Sequence, residues 1–432
     1  MLKLFRCLFS EKTMLAITSA YSIRICALAL GFYTQILFAQ LLGASNYGIF
    51  SLMWVIATIL GQASTLGFNE TTNRFLPTYL SQGKPHLALG FVKFSYMTVM
   101  QASSLLICIL ILSVFLFSAY LPGHYYLPLI FALLCVPITA MTHLQESFAI
   151  SRTWVIRGLL PSFVVRPLIL ILSTYILIKY LNLEATATLA TLALLFSCIF
   201  AFFLQTILLK NPLAEEIGKT KASYKKGFWF KSSIPLILSQ GFVILAVNID
   251  ILVLSFLTSP DKLGVYFAAA KIVSLISFIH IAIGQIITRK LAEAVATSKM
   301  DMLTHYFNQY RRLMIYFSIS LSVIFIIFST ELMLIFGEEF AEGGRYLSIL
   351  VFISIVHACG GPLKEYLIVL GKQKDILRIT SISLVLNFIL NLIFFMMLGL
   401  EGVAIASVIS AIVQVVMFWL VKKKSNILEA KA

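Results

Sequence analysis

Charge is scarce in this chain, and what there is lies in clumps. Of 432 residues only 12% are Asp, Glu, Lys or Arg, while 60% are hydrophobic, against about 25% charged and 45–50% apolar in an average soluble domain. That scarcity excludes a soluble globular fold. The uncharged runs reach the length of about 20 apolar residues that carries a helix across the hydrocarbon core, so the chain reads as an all-α integral membrane protein. Cysteine is sparse as well, and CxxC spacing is missing: Cys7, Cys26, Cys108, Cys135, Cys198 and Cys359 lie in or beside apolar segments. A disulfide or metal framework is therefore not expected, and the cysteines read as small buried hydrophobes. The six histidines, His86, His124, His143, His280, His305 and His357, are scattered. No paired carboxylates, Ser/His/Asp set or metal-ligand cluster stands out, so no enzyme, no catalytic residue and no metal site is predicted.

What is present is a set of apolar runs at about 14–42, 47–68, 88–118, 126–145, 158–181, 185–209, 233–257, 264–288, 313–337, 346–370, 377–398 and 402–421, which makes about twelve spans. The basic start, with Lys3 and Arg6, suggests a signal peptide. However, the apolar stretch after it is too long and no small-residue cleavage site follows, so it reads as a retained first span. Connections alternate between basic and nearly uncharged. With the N-terminus placed in the cytoplasm, 27 of the 33 lysines and arginines fall on that side. Three (Lys179, Lys262, Arg345) fall on the other side and three (Arg24, Arg166, Lys271) inside spans. This asymmetry is the positive-inside pattern and puts both termini in the cytoplasm. The net charge of +15 is then topology, and no nucleic acid is expected as a partner. The connections on the far side are short, the longest around Gly337 to Tyr346, which leaves no room for an outer catalytic domain.

The chain also repeats itself. Ile36 to Phe50 and Ile251 to Tyr266 each end one helix, turn through a short loop and start the next with Gly-aliphatic-aromatic. Aligning Gly48 with Gly264 gives an offset of half the chain. Thr72-Asn73-Arg74 and Thr288-Arg289-Lys290 follow at nearly the same offset. Six spans per repeat is an even number, so the halves insert in the same orientation, as in transporters with parallel repeats. The expected organisation is an N-lobe at 1–212, a cytoplasmic linker at 213–232 and a C-lobe at 233–432, two parallel six-helix lobes around a central cavity.

Leu41 to Ser51 resembles the opening motif of the polysaccharide-export branch of the MOP superfamily, which includes the O-antigen and repeat-unit flippases. So do Asn248-Ile249-Asp250 with Leu263 to Lys271, Ile335 to Arg345, Gly361-Pro362, Gly371 to Lys374, and Leu384 to Asn391, in the family's order. Gln40 departs from the pattern, since relatives often carry a basic residue there. The resemblance implies alternating access acting on an undecaprenyl-pyrophosphate-linked oligosaccharide in the bacterial inner membrane, for O-antigen, capsule or exopolysaccharide synthesis. It implies as partners the lipid-linked substrate, membrane lipids and polysaccharide polymerase or chain-length machinery. A lipid II flippase is a poorer match, since those carry two extra C-terminal helices.

Four ionisable residues lie inside spans. Each would cost about 2.5–3.5 kcal/mol facing lipid at the bilayer centre, so a wet cavity or mutual pairing is expected. Asp250 and Lys271 lie about ten residues on either side of the turn near Pro260 and so at similar depth. They read either as a structural ion pair or as a switch in which Asp250 couples H+ or Na+ to transport. Asn248 reads as a helix–helix hydrogen bond or a substrate contact. Arg24, near mid-depth, can clamp a pyrophosphate with its planar fork. Arg166, between Pro161 and Pro167, can bind substrate or be held by carbonyls freed at a proline kink. Pro137 and Cys359 to Pro362 read as kinks or hinges, and Arg289 to Arg312 as an amphipathic helix drawing anionic lipid. Three buried cations against one acid suit a polyanionic lipid-pyrophosphate. The alternatives are a cation-coupled small-molecule exporter of the sister MATE branch and a non-transporting scaffold in a polysaccharide assembly complex.

Overall fold

The computed structural model describes residues 11–218, 220–297 and 300–429, and among these there is no strand. The basic start at Lys3 and Arg6, with Cys7, lies outside the described residues, as does the Lys431 end. The helices are α1 Glu11–Ser64, α2 Phe68–Ser81, α3 Pro85–Leu116, α4 Gly123–Ser151, α5 Val155–Leu160, α6 Arg166–Lys179, α7 Ala187–Ile217 and α8 Lys226–Leu257. They continue with α9 Pro260–Ala296, α10 Met300–Ile327, α11 Ser329–Leu334, α12 Gly343–Gly360, α13 Leu363–Val369 and α14 Gln373–Glu429. Among the described residues, ten helices are long and apolar enough to cross a membrane. Two of them are double-length, Ser22–Ser64 with 43 residues and Gln373–Lys424 with 52. Each is two helices meeting at a glycine in a conformation that other residues rarely adopt, Gly43 at φ 70 and Gly399 at φ 62.

The chain divides into two compact units. One comprises Met1–Leu42 and Ile49–Gly241, the other Gly43–Gly48 and Phe242–Ala432. The boundary falls inside α8, and the stretch expected as a linker, 213–232, belongs to the first unit.

In the first unit an aromatic cluster forms the core at one end. Phe75, Phe91 and Trp229 are all but inaccessible, with Phe91 and Trp229 edge to face at 5.4 Å. Trp229 donates its indole N–H to the Tyr79 hydroxyl at 2.9 Å, giving the one polar atom of a buried indole its partner. Close backbone approach depends on two glycines here. A Cβ on Gly90 would fall 1.8 Å from the Ser223 carbonyl oxygen, and one on Gly67 2.6 Å from that of Ser233.

In the second unit the segment Gly43–Gly48 packs on α9 and on the turn before α12. Gly48 and Gly264, the pair that the repeat aligns, lie against each other: a Cβ on either would stand 2.9 Å from the other's amide nitrogen. The Ala44 N–H, exposed by the break at Gly43, donates to Glu339 Oε2 at 2.8 Å, which satisfies one of the orphan donors of a helix start.

Two expectations change. The ninth span, expected over 313–337, is the helix Met300–Ile327 followed by the separate short helix α11, because the apolar run continues past a break at Phe328 that composition does not reveal. Arg289 to Arg312 is likewise no single amphipathic helix: it comprises the end of α9, which stops at Ala296, and the start of α10, which begins at Met300.

Candidate functional site

In the second unit four donors converge on Asp250. Its Oδ2 accepts from the Tyr266 hydroxyl at 2.9 Å and from Ser407 Oγ at 2.7 Å. Its Oδ1 accepts from Asn391 Nδ2 at 2.8 Å and, more weakly, from Asn387 Nδ2 at 3.3 Å. An ionised carboxylate has about four acceptor positions, and here all are filled. Tyr266 and Asn391 are fully buried, and Asn387 and Ser407 nearly so. Asn387 and Asn391 are one helical turn apart on α14 and so share a face. Ser407 lies on the same long element beyond the break at Gly399, and Asp250 is near the end of α8. A cavity of about 120 Å³ adjoins the cluster, lined by Asn387, Ser407, His357, Ser383, Ser410 and Gln414 among others. Asn391 Oδ1 is buried without a partner. The set is rich in oxygen, and no lysine or arginine is among the donors to Asp250.

Lys271 is not the partner of Asp250. The structure contains no ion pair between them; the Lys271 ammonium sits over the Phe267 ring at 4.6 Å from its centroid. Equal depth left the direction of each side chain open. Tyr266 and Lys271 are five residues apart on α9, about 140° around the helix at 3.6 residues per turn. With Tyr266 turned toward Asp250, Lys271 points away.

Asn248 donates to the carbonyl of Ile244 in its own helix at 2.9 Å, so its bond is not the interhelical one expected. Arg24 is partly exposed and has no hydrogen-bond, ionic or ring partner among the described residues. Arg166 lies in the first unit directly after a π-helical turn at Pro161–Val165, a feature frequent at functional sites. Its guanidinium lies over Trp54, 5.2 Å from the ring centroid. Its Nε is buried without a partner, so the expected capture of that atom by a freed carbonyl does not occur. A freed carbonyl does hold an arginine elsewhere. At the break Gly360–Leu363, Cys359 accepts from Arg311 Nε at 2.7 Å. The described cysteines are all free.

Sequence reasoning missed Tyr266, Asn387, Asn391 and Ser407 as a site. The available signal was the pair Asn387 and Asn391, two amides at helical spacing inside an otherwise apolar run.

The comparisons agree with this architecture. No curated protein matches the chain. Among solved structures, an inward-facing multidrug resistance MATE family transporter of the MOP superfamily superposes with a TM-score of 0.78 at 14% identity, over 94% of this chain and 96% of that one. The lipid II flippase MurJ in an inward closed conformation gives 0.73 at 16% identity, over 94% and 87%. A MOP superfamily transporter from Pyrococcus furiosus, described as having a binding pocket of reversed polarity that suggests a different function, gives 0.61 at 15%, over 96% and 93%. At such identities the likeness is one of fold. A family profile described as MatE matches residues 235–393, and one described as Polysaccharide biosynthesis protein matches 15–289, well over half of the chain. With a multi-pass helical fold shared with MOP transporters and that profile running through both units, the chain belongs to the polysaccharide biosynthesis protein family of the MOP superfamily.

Proposed function

We propose that the protein moves an undecaprenyl-pyrophosphate-linked oligosaccharide across the bacterial inner membrane by alternating access, with both termini in the cytoplasm. Counting each broken double-length helix as two gives the twelve crossings on which this topology rests. The observation that carries the reading is the state of the intramembrane charges. Among the described residues Arg24, Arg166 and Lys271 have no carboxylate partner, whereas the intramembrane acid Asp250 is saturated by neutral donors. Unpaired cations held within a membrane protein are costly unless an anion arrives to meet them, and a pyrophosphate is such an anion. Arg24 supplies the bidentate fork, Arg166 and Lys271 add charge, and Asn248 contributes polar contact. Asp250 is the ion-coupling residue: a proton or a hard monovalent cation, which prefers oxygen ligands, takes its carboxylate by displacing one of the four donors, with the unpartnered Asn391 Oδ1 as a second oxygen.

The test follows radiolabelled sugar in cells lacking the gene. Accumulation of lipid-linked oligosaccharide on the inner leaflet with loss of surface polysaccharide, restored by the wild type and not by Arg24→Ala, supports the reading. The second reading, a cation-coupled exporter, is favoured by the MatE match over 235–393, the region that contains Asp250. Unchanged lipid intermediates together with raised sensitivity to cationic drugs would replace the first reading with it.

A further inference from the structure

We propose that the exposed face of α10 near its basic end binds the phosphate head group of an anionic phospholipid. A groove of about 410 Å³ runs along this face, lined by His305, Asn308, Gln309, Arg312, Leu313 and Tyr316. Five of these six carry hydrogen-bond donors, and they recur at three- and four-residue spacing, which places them on one stripe. Toward Ile327 the same stripe turns apolar and stays exposed, through Ile319, Val323, Ile324 and Ile327. Donors at one end and a bare hydrocarbon-facing surface at the other match the two parts of a phospholipid. The 28 residues of α10 span about 42 Å at 1.5 Å per residue, about 12 Å beyond the hydrocarbon thickness. If Ile327 lies near one boundary of the core, Arg312 lies within about two turns of the other, where an arginine snorkels to the head groups.

Charge complementarity identifies the occupant as anionic. The neighbouring cations are already engaged. Lys290 lies over Tyr306 and Tyr310 at 5.3 and 5.4 Å, Arg311 is held by the Cys359 carbonyl and Trp419, and Lys422 is enclosed by Phe307, Tyr366 and Trp419. Arg312 has no ionic or hydrogen-bonding partner among the described residues. The one carboxylate in the first turn of α10, Asp301, is three turns away and pairs with neither His305 nor Arg312. The inference depends on neither the transport reading nor the orientation in the membrane.

The experiment measures thermal unfolding of the whole protein in neutral detergent. The additives are phosphatidylglycerol, phosphatidylcholine or glycerol 3-phosphate, each at the same concentration. Phosphatidylglycerol is expected to raise the midpoint beyond the other two. In Arg312→Gln its apparent affinity should fall by about fivefold, the factor for about 1 kcal/mol per basic residue at an anionic surface, while Lys423→Gln keeps the wild-type response. Equal shifts with both phospholipids, or an undiminished response in Arg312→Gln, would overturn the proposal. A shift with glycerol 3-phosphate alone would replace the lipid with a free phosphate ester. Should Arg312→Gln fold poorly, Gln309→Leu read by native mass spectrometry of retained phosphatidylglycerol decides between the same outcomes.

Discussion

A buried carboxylate held by four neutral donors is a demanding arrangement, and Asp250 is where it occurs. Removing the side chain would leave the Tyr266 and Ser407 hydroxyls and two amides without their acceptor, each at a cost of about 1–3 kcal/mol where no water replaces it. Asp250→Ala is therefore expected to lower the thermal midpoint sharply. Asp250→Asn preserves shape and retains one acceptor oxygen, so it should fold better than the alanine variant while losing ion-dependent transport. A binding assay for H+ or Na+ on detergent-purified protein, paired with melting curves, separates the two effects; an Asn variant with wild-type ion dependence would remove Asp250 from coupling. A second carboxyl, Glu70 on α2, makes a different case. It accepts from Gln240 Nε2 at 3.0 Å, and burial pushes its carboxyl up from the ordinary range. A raised carboxyl means that the folded state holds the proton more tightly than the unfolded chain. Stability from this group is then fully present below the unfolded value and is lost as pH rises through the folded one. Glu70→Gln should accordingly melt higher than wild type at pH 7, and the gap should close as the pH falls toward 4. A gap that stays constant with pH would show that the carboxyl does not titrate differently in the two states.

At the scale of elements, the glycine contact in the second unit bears the most directly on folding. A Cβ on Gly48 would lie 1.8 Å from the Pro260 carbonyl oxygen, so any side chain there must push backbone against backbone. Overpacking of this kind costs about 1–3 kcal/mol and sometimes more. Gly48→Ala should reduce the monodisperse fraction in size-exclusion chromatography, whereas Gly227→Ala, with open space around it, should not. Equal behaviour of the two variants would mean that the contact yields easily. This contact also shows what the sequence made legible. Gly48 and Gly264, each a small residue followed by aliphatic and aromatic ones, stood out in the sequence, and the structure packs the two glycines against each other. The spans were visible because long apolar runs are the signature of crossing helices. What the sequence did not reveal was rotation and termination. Depth follows from residue count, but the azimuth of Lys271 followed only once Tyr266 was seen to face Asp250. The donors to Asp250 come from α9 and α14, as many as 157 residues away, and nothing local marks their convergence. The end of α10 at Ile327 was hidden because the following residues are as apolar as the helix itself.

For the whole molecule, the question is which charge the transport path is built to meet. A flippase for a lipid pyrophosphate and an exporter for organic cations share a fold, so the fold cannot choose between them; the intramembrane residues can. If Arg24, Arg166 and Lys271 contact the pyrophosphate, neutralising any one removes a charge-assisted bond worth about 1.5–3 kcal/mol, roughly a tenfold or greater loss in apparent affinity. Arg24→Lys should restore part of that loss, since it keeps the charge and forfeits the planar fork. The measurement is competition by soluble pyrophosphate-bearing analogues against transport in vesicles, with the amount of inserted protein held equal. In a cation exporter the same neutralisations would relieve repulsion and leave transport equal or improved. The sign of the change in Arg24→Gln therefore separates the readings. A loss in that variant with partial recovery in Arg24→Lys would tie the guanidinium to an anion, and a gain would indicate that the positive charge opposes the cargo.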